Sequence, residues 1–130
     1  MGNKQEQNSC RHPQLLVIED EKEIRESLRQ VLEFEGYEVF EAANGKEALE
    51  LLTQARQPIC LILLDLMMPV MDGWQFSELL KTDSAHNAIP VILVTAFSDK
   101  ARGISSAGVV KKPFDLDALL SMVQRLCSCA

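Results

Sequence analysis

The run Leu61-Ile62-Leu63-Leu64 ends on one carboxylate, Asp65, and Pro69 and Asp72-Gly73 follow within a few residues. Continuous apolar residues closed by turn formers read as a strand buried on both faces that stops at the acid. A parallel sheet covered by helices is the setting that makes such strands necessary. Its ligands collect beyond the carboxyl ends of the strands, so Asp65 stands where chemistry is done.

The same pattern recurs along the chain. Leu15-Leu16-Val17-Ile18 runs straight into Glu19-Asp20-Glu21, and Pro90-Val91-Ile92-Leu93-Val94 ends at Thr95. Tyr37 to Phe40 reads as a second strand near the sheet edge, and Val109-Val110 as a brief fifth strand before Lys111-Lys112-Pro113-Phe114. Between the strands lie helical periodicities. Ile24, Leu28, Val31 and Leu32 share one face of a helix closed by Gly36. Asn44 caps a helix whose buried side is Ala48, Leu51, Leu52 and Ala55. Asp72-Gly73-Trp74 opens a third, with Phe76, Leu79 and Leu80 inward. Ser98 to Ile104 leaves room only for a short fourth helix, and Leu116, Leu119, Leu120, Val123 and Leu126 line a fifth. Strands alternating with helices predict a doubly wound α/β sheet with helices on both faces.

Residues 1–14 are polar and aperiodic and read as a tail, leaving residues 15–127 as one domain. A net charge of -6 without a basic stripe argues against direct nucleic-acid binding. No apolar run approaches the roughly 20 residues of a membrane span. Cys10, Cys60, Cys127 and Cys129 form no CxxC pair or zinc-ligand spacing, and are expected to be buried or incidental thiols in a reducing cytoplasm; Cys127-x-Cys129 could take a metal or cross-link two chains, but a CxC alone is a weak signal. The N-terminus lacks the apolar segment of a signal peptide, which also points to the cytoplasm.

In a parallel sheet the strand tips would bring together Glu19, Asp20, Asp65, Thr95 and Lys112. Carboxylates crowded at neighbouring tips repel one another unless a cation compensates. Mg²⁺ suits such oxygen donors and retains positions for a phosphoryl oxygen and a backbone carbonyl such as that of Met67. An aspartate beside that ion is a competent nucleophile toward phosphorus, with the Lys112 ammonium and Thr95 hydroxyl as partners for phosphoryl oxygens. Each motif alone has a plainer reading, as an acidic helix cap or a surface turn. Their order along the chain argues for a shared site.

From Leu15 to Leu126 the chain resembles the receiver domain of bacterial two-component response regulators. The matching motifs are Val17-Ile18-Glu19-Asp20-Glu21, Leu64-Asp65-Leu66-Met67-Met68-Pro69 with Met71-Asp72-Gly73, Val94-Thr95-Ala96 and Lys112-Pro113-Phe114. The resemblance implies a flavodoxin-like five-stranded sheet of order 2-1-3-4-5. It also implies that Asp65 is the phosphoacceptor for a sensor histidine kinase or histidine phosphotransfer protein. Glu19, Asp20, Asp65 and the Met67 carbonyl would hold Mg²⁺, Thr95 and Lys112 would bind the phosphoryl group, and the Lys112-Pro113 peptide would be cis. Such a domain catalyses only its own phosphorylation and dephosphorylation and signals to a downstream protein or output domain. The surface of fourth helix, fifth strand and fifth helix would serve partners or a homodimer.

Two departures stand out. Val109 occupies the position of the family's aromatic switch, and the Thr95 to Lys112 interval is short by about one helical turn. A pseudo-receiver, which keeps the fold and signals without phosphorylation, is therefore the alternative. A haloacid-dehalogenase-type phosphatase would need an acid where Met67 stands. Nucleotide binding would need a glycine-rich loop where Glu19-Asp20-Glu21 stands. The chain would be either a stand-alone receiver or part of a longer regulator or hybrid kinase.

Overall fold

Burial on both faces explains the uninterrupted apolar strands. The computed structural model describes residues 13–54, 58–96, 104, 106–113 and 115–127. In chain order its elements are β1 (Gln14–Ile18), α1 (Lys22–Phe34), β2 (Glu38–Ala42), α2 (Gly45–Gln54), β3 (Ile59–Leu64), α3 (Gly73–Lys81), β4 (Val91–Thr95), β5 (Gly108–Lys111) and α4 (Leu116–Leu126). The strands form one parallel sheet of order β2-β1-β3-β4-β5. The expected order holds, with β2 at an edge. The expected short helix over Ser98 to Ile104 falls almost wholly on residues outside those described, and Ile104 itself is not helical.

Side chains alternate between two layers, as the two-residue period of a strand requires. Leu16, Ile18, Ile62, Leu64 and Leu93 pack with Ala48 and Leu52 of α2 and with Phe76 and Leu80 of α3. Leu15, Val17, Leu61, Leu63, Ile92 and Val94 pack with Leu28 and Leu32 of α1 and with Leu119 and Val123 of α4. Phe76 is fully enclosed, and burying a ring of that size stabilises a fold by ~2–3 kcal/mol. The sheet thus has a helix-covered core on each face.

Two helix faces are narrower than their periodicity predicts. Leu79 and Leu116 are 45% and 42% exposed. On α3 the burial axis runs through Phe76 and Leu80, one helical repeat apart, and leaves Leu79 on its flank. On α4 it runs through Leu119 and Val123, and Leu116 in the first turn is left exposed. The cysteine expectation also needs correction. Cys60 and Cys127 are joined as a disulfide, with Cα atoms 5.9 Å apart. Cys60 lies at an irregularity in the pairing of β3 with β1 that residue spacing does not reveal.

Caps close the helices where the sequence predicts. The Asn44 side chain accepts from the Glu47 N–H at 2.9 Å while Glu47 accepts from the Ala43 N–H at 2.8 Å. Asp72 and Gln75 form the same reciprocal pair ahead of α3, at 2.9 and 3.0 Å. Among the described residues no helix is long and apolar enough to cross a membrane.

The loop from β3 to α3 carries one strained residue. Val70 has φ 69°, a left-handed conformation that a β-branched side chain adopts only against steric resistance. Its side chain is 74% exposed and contributes little burial in return. Replacing Val70 with Gly removes the clash at some cost in unfolded-chain entropy. Val70→Gly is expected to raise stability by about 1 kcal/mol, a gain of several degrees in Tm. Thermal denaturation followed by circular dichroism tests this, and a lower Tm in the variant would contradict it.

Candidate functional site

Three ladders of the sheet, β1–β2, β1–β3 and β4–β5, extend one step past the strands proper, and those steps build the site. The Asp65 N–H donates to the Ile18 carbonyl at 3.0 Å, and the Glu19 N–H donates to the Ala42 carbonyl at 3.0 Å. On the other side of the sheet, the Lys112 N–H donates to the Thr95 carbonyl at 2.8 Å. Residues far apart in sequence are thereby held side by side at the crevice between β1 and β3. At that point one connection leaves toward α1 on one face and the other toward α3 on the opposite face, the arrangement that opens a binding crevice in such sheets.

Glu19, Asp20 and Asp65 converge there, with one carboxylate oxygen from each lying within 4.8 Å of the others. Glu19 is 1% exposed and Asp65 5%. The Lys112 Nζ donates to Glu19 Oε1 at 2.7 Å and stands 3.6 Å from Asp65 Oδ1. The second Glu19 oxygen accepts from the Glu21 N–H at 3.1 Å. The Met67 N–H donates to the Asp65 carboxylate. Thr95, the last residue of β4, is fully buried. The Lys112–Pro113 peptide is cis, as the family resemblance implies.

Sequence reasoning assembled these residues but did not foresee all their partners. Lys112 pairs most closely with Glu19. Arg25, one turn into α1, donates from Nη1 to the Glu19 carbonyl at 2.8 Å and from Nε to Glu41 Oε1 at 3.1 Å, bracing the acidic loop against β2. An arginine on a helix face carries no spacing signal for that role. Gly73 was legible only as a turn residue. A Cβ there would lie 2.7 Å from the Asp65 carbonyl oxygen and 2.8 Å from the Leu66 Cα, both backbone atoms, so the loop closes over Asp65 only with glycine at this position.

Three carboxylates against one ammonium leave the pocket net negative when all are ionised. Burial and the charge of Glu19 push the Asp65 carboxyl up to about 7, against the opposing pull of Lys112 and the Met67 N–H. Burial would lower the Lys112 ammonium, but its hydrogen bond to Glu19 and the surrounding carboxylates outweigh that effect and raise it. An all-oxygen donor set with uncompensated charge suits a hard divalent cation better than a soft one.

These features fit what comparison with known proteins finds. The family model of the response regulator receiver domain matches residues 15–124, and the chain belongs to that family. Among curated relatives, the transcriptional regulatory protein CrdR of Helicobacter pylori is 38% identical over 116 residues, covering 85% of this chain and 53% of CrdR. This chain thus spans about half the length of the curated relatives it matches. Among solved structures, the chemotaxis protein CheY4 of Vibrio cholerae superposes with TM-score 0.79 at 30% identity, over 88% of this chain and 98% of its own. The response regulator TrrA of Thermotoga maritima, solved in complex with Mg²⁺ and BeF, gives TM-score 0.77 at 32% identity, over 88% and 98% of the two chains.

The electrostatics predict a pH dependence. A carboxyl raised from 3.8 to about 7 on folding favours the native state below pH 4, and that contribution is lost as pH rises toward 7. Asp65→Asn, neutral throughout, does not suffer the loss. Without divalent cations the variant is expected to be more stable than wild type at pH 8 by ~1–2 kcal/mol, after allowing for solvent screening at the pocket mouth, and nearly equal at pH 4. Denaturant unfolding at the two pH values measures this, and the same difference at both would contradict it.

Proposed function

We propose that this chain is a phosphoacceptor signalling domain in which Asp65 accepts a phosphoryl group from a phosphohistidine of a sensor kinase or phosphotransfer protein. The observation that carries the reading is the convergence of Glu19, Asp20 and Asp65 with the Lys112 ammonium beside them. Glu19, Asp20, Asp65 and the Met67 backbone carbonyl are the groups that would hold Mg²⁺, and the bound ion would neutralise charge on the transferring phosphoryl oxygens. The Mg²⁺–BeF complex of TrrA supports the assignment.

The residues divide the work by chemistry. An Asp65 oxygen attacks phosphorus while the donor imidazole leaves, forming an acyl phosphate on the side chain. Lys112, now paired with Glu19 and near Asp65, is close enough to turn to a phosphoryl oxygen. Thr95 lies at the adjoining strand tip, where its hydroxyl would take another. Hydrolysis of the acyl phosphate resets the domain, so its catalysis is confined to its own phosphorylation and dephosphorylation.

The output surface is the face of β5 and α4; the family's fourth helix falls almost wholly on residues outside those described. Val109 at the switch position is 40% exposed and Leu116 is 42% exposed, so this face offers apolar contact to a downstream protein, an output domain or a second copy. We place this activity in the cytoplasm, in the domain of residues 15–127, to which the structure adds Gln14 as the buried first residue of β1.

Incubation with acetyl phosphate and Mg²⁺ tests the reading. Intact mass spectrometry is expected to find one added phosphoryl group, absent without Mg²⁺ and absent in Asp65→Asn. Lys112→Ala is expected to slow the reaction roughly 10²-fold. An unmodified wild-type chain, with its fold intact, would instead favour the pseudo-receiver.

A further inference from the structure

The strand that ends at Asp65 begins with an irregularity. In its pairing with β1, Gln14 stands opposite Ile59 and Leu15 opposite Leu61, so Cys60 is an inserted residue without a partner in the register. From Leu61 onward the side chains alternate strictly. Leu61 and Leu63 face the layer of α1 and α4, while Ile62 and Leu64 face that of α2 and α3. Continued backwards, that alternation would aim Cys60 at the α2 and α3 layer. The inserted residue reverses the aim, and Cys60 packs on the same side as Leu61. Opposite it stands Cys127, the C-cap of α4, 4% exposed and disulfide-bonded to Cys60. The Cα separation of 5.9 Å lies within the range a disulfide requires.

We propose that Cys60 and Cys127 form a reversible redox modification site that takes a small-molecule disulfide of the glutathione type and, once oxidised, clasps α4 to β3. Cys60 is partly exposed and Cys127 is not, which sets the order of events. The Cys60 thiolate attacks one sulfur of the small disulfide and expels the first small thiolate. The Cys127 thiolate then attacks the Cys60 sulfur of the mixed disulfide and expels the second. Two electrons pass from the protein thiols to the small disulfide, and their two protons end on the released thiols. Excess small thiol drives the same steps backwards.

The clasp joins two elements that bear on the site from opposite ends. β3 has Asp65 at its tip and Cys60 near its root, while α4 starts four residues after Lys112 and ends at Cys127. Apart from the disulfide, the fully buried residues of α4 against the sheet are Leu119 and Val123. Oxidation adds a covalent tie across 67 residues of sequence, and closing so long a loop restricts the unfolded chain substantially. The proposal is independent of the phosphoacceptor reading.

The test uses the full chain, treated with oxidised glutathione or with dithiothreitol, then denatured, alkylated and peptide-mapped. After oxidation the Cys60 and Cys127 peptides are expected as one cross-linked species that dithiothreitol, added to the native protein, converts back to two alkylatable thiols. The oxidised form is expected to melt roughly 10 °C higher than the reduced form. Cys60→Ser and Cys127→Ser, and Cys60→Ala as a second replacement, should abolish that shift. Full alkylation of Cys60 after oxidation, a bond from Cys127 to Cys129 or Cys10 instead, or a cross-link with no thermal shift would overturn the proposal.

Discussion

Mutual repulsion among carboxylates at the sheet's crevice is the constraint around which the domain is arranged. Glu19, Asp20 and Asp65 are crowded together with Lys112 as the cation lodged between Glu19 and Asp65. Isolated from the fold, such a cluster would disperse or take up protons. It persists because the surrounding backbone leaves it no alternative. Each acid or its neighbour is fixed by a ladder bond that continues the sheet, and Arg25 holds the Glu19 carbonyl in place from α1. The apolar layers on both sides supply the stability that this concentration of charge consumes.

That balance makes the pocket responsive. Lys112 already stands on two carboxylates, so any new charge at Asp65 changes what the ammonium is attracted to. Lys112 is followed through the cis peptide by α4, and its backbone is bonded to Thr95 at the end of β4. Under the proposed function, phosphoryl charge at Asp65 would act first on the strand tips and helix that border the exposed Val109 and Leu116.

Much of this was legible in the sequence because a parallel sheet buried on both faces demands strands with no polar interruption. Leu15 to Ile18, Leu61 to Leu64 and Val91 to Val94 announce themselves, and the polar residues that terminate them mark the site. Spacing is silent about contacts made across the fold. The Lys112 bond to Glu19 depends on how β5 ends relative to β1, and the Arg25 brace depends on how α1 lies over the sheet. Leu79 and Leu116 satisfy a helical period yet remain exposed, Leu79 on the flank of α3 and Leu116 in the first turn of α4. Cys60 was illegible for a sharper reason: one inserted residue reverses which layer its side chain enters, and nothing in the residue type signals the insertion.

The proposed role of these carboxylates is to form one pocket for a divalent cation. Calorimetric titration of the chain with Mg²⁺, with Trp74 fluorescence recorded in parallel next to Gly73, tests it without invoking phosphorylation. Saturable binding of a single ion per chain is expected, lost when Asp20 or Asp65 is replaced by asparagine in variants that remain folded. Absence of saturable binding in the wild type, or binding unaltered by either replacement, would contradict it.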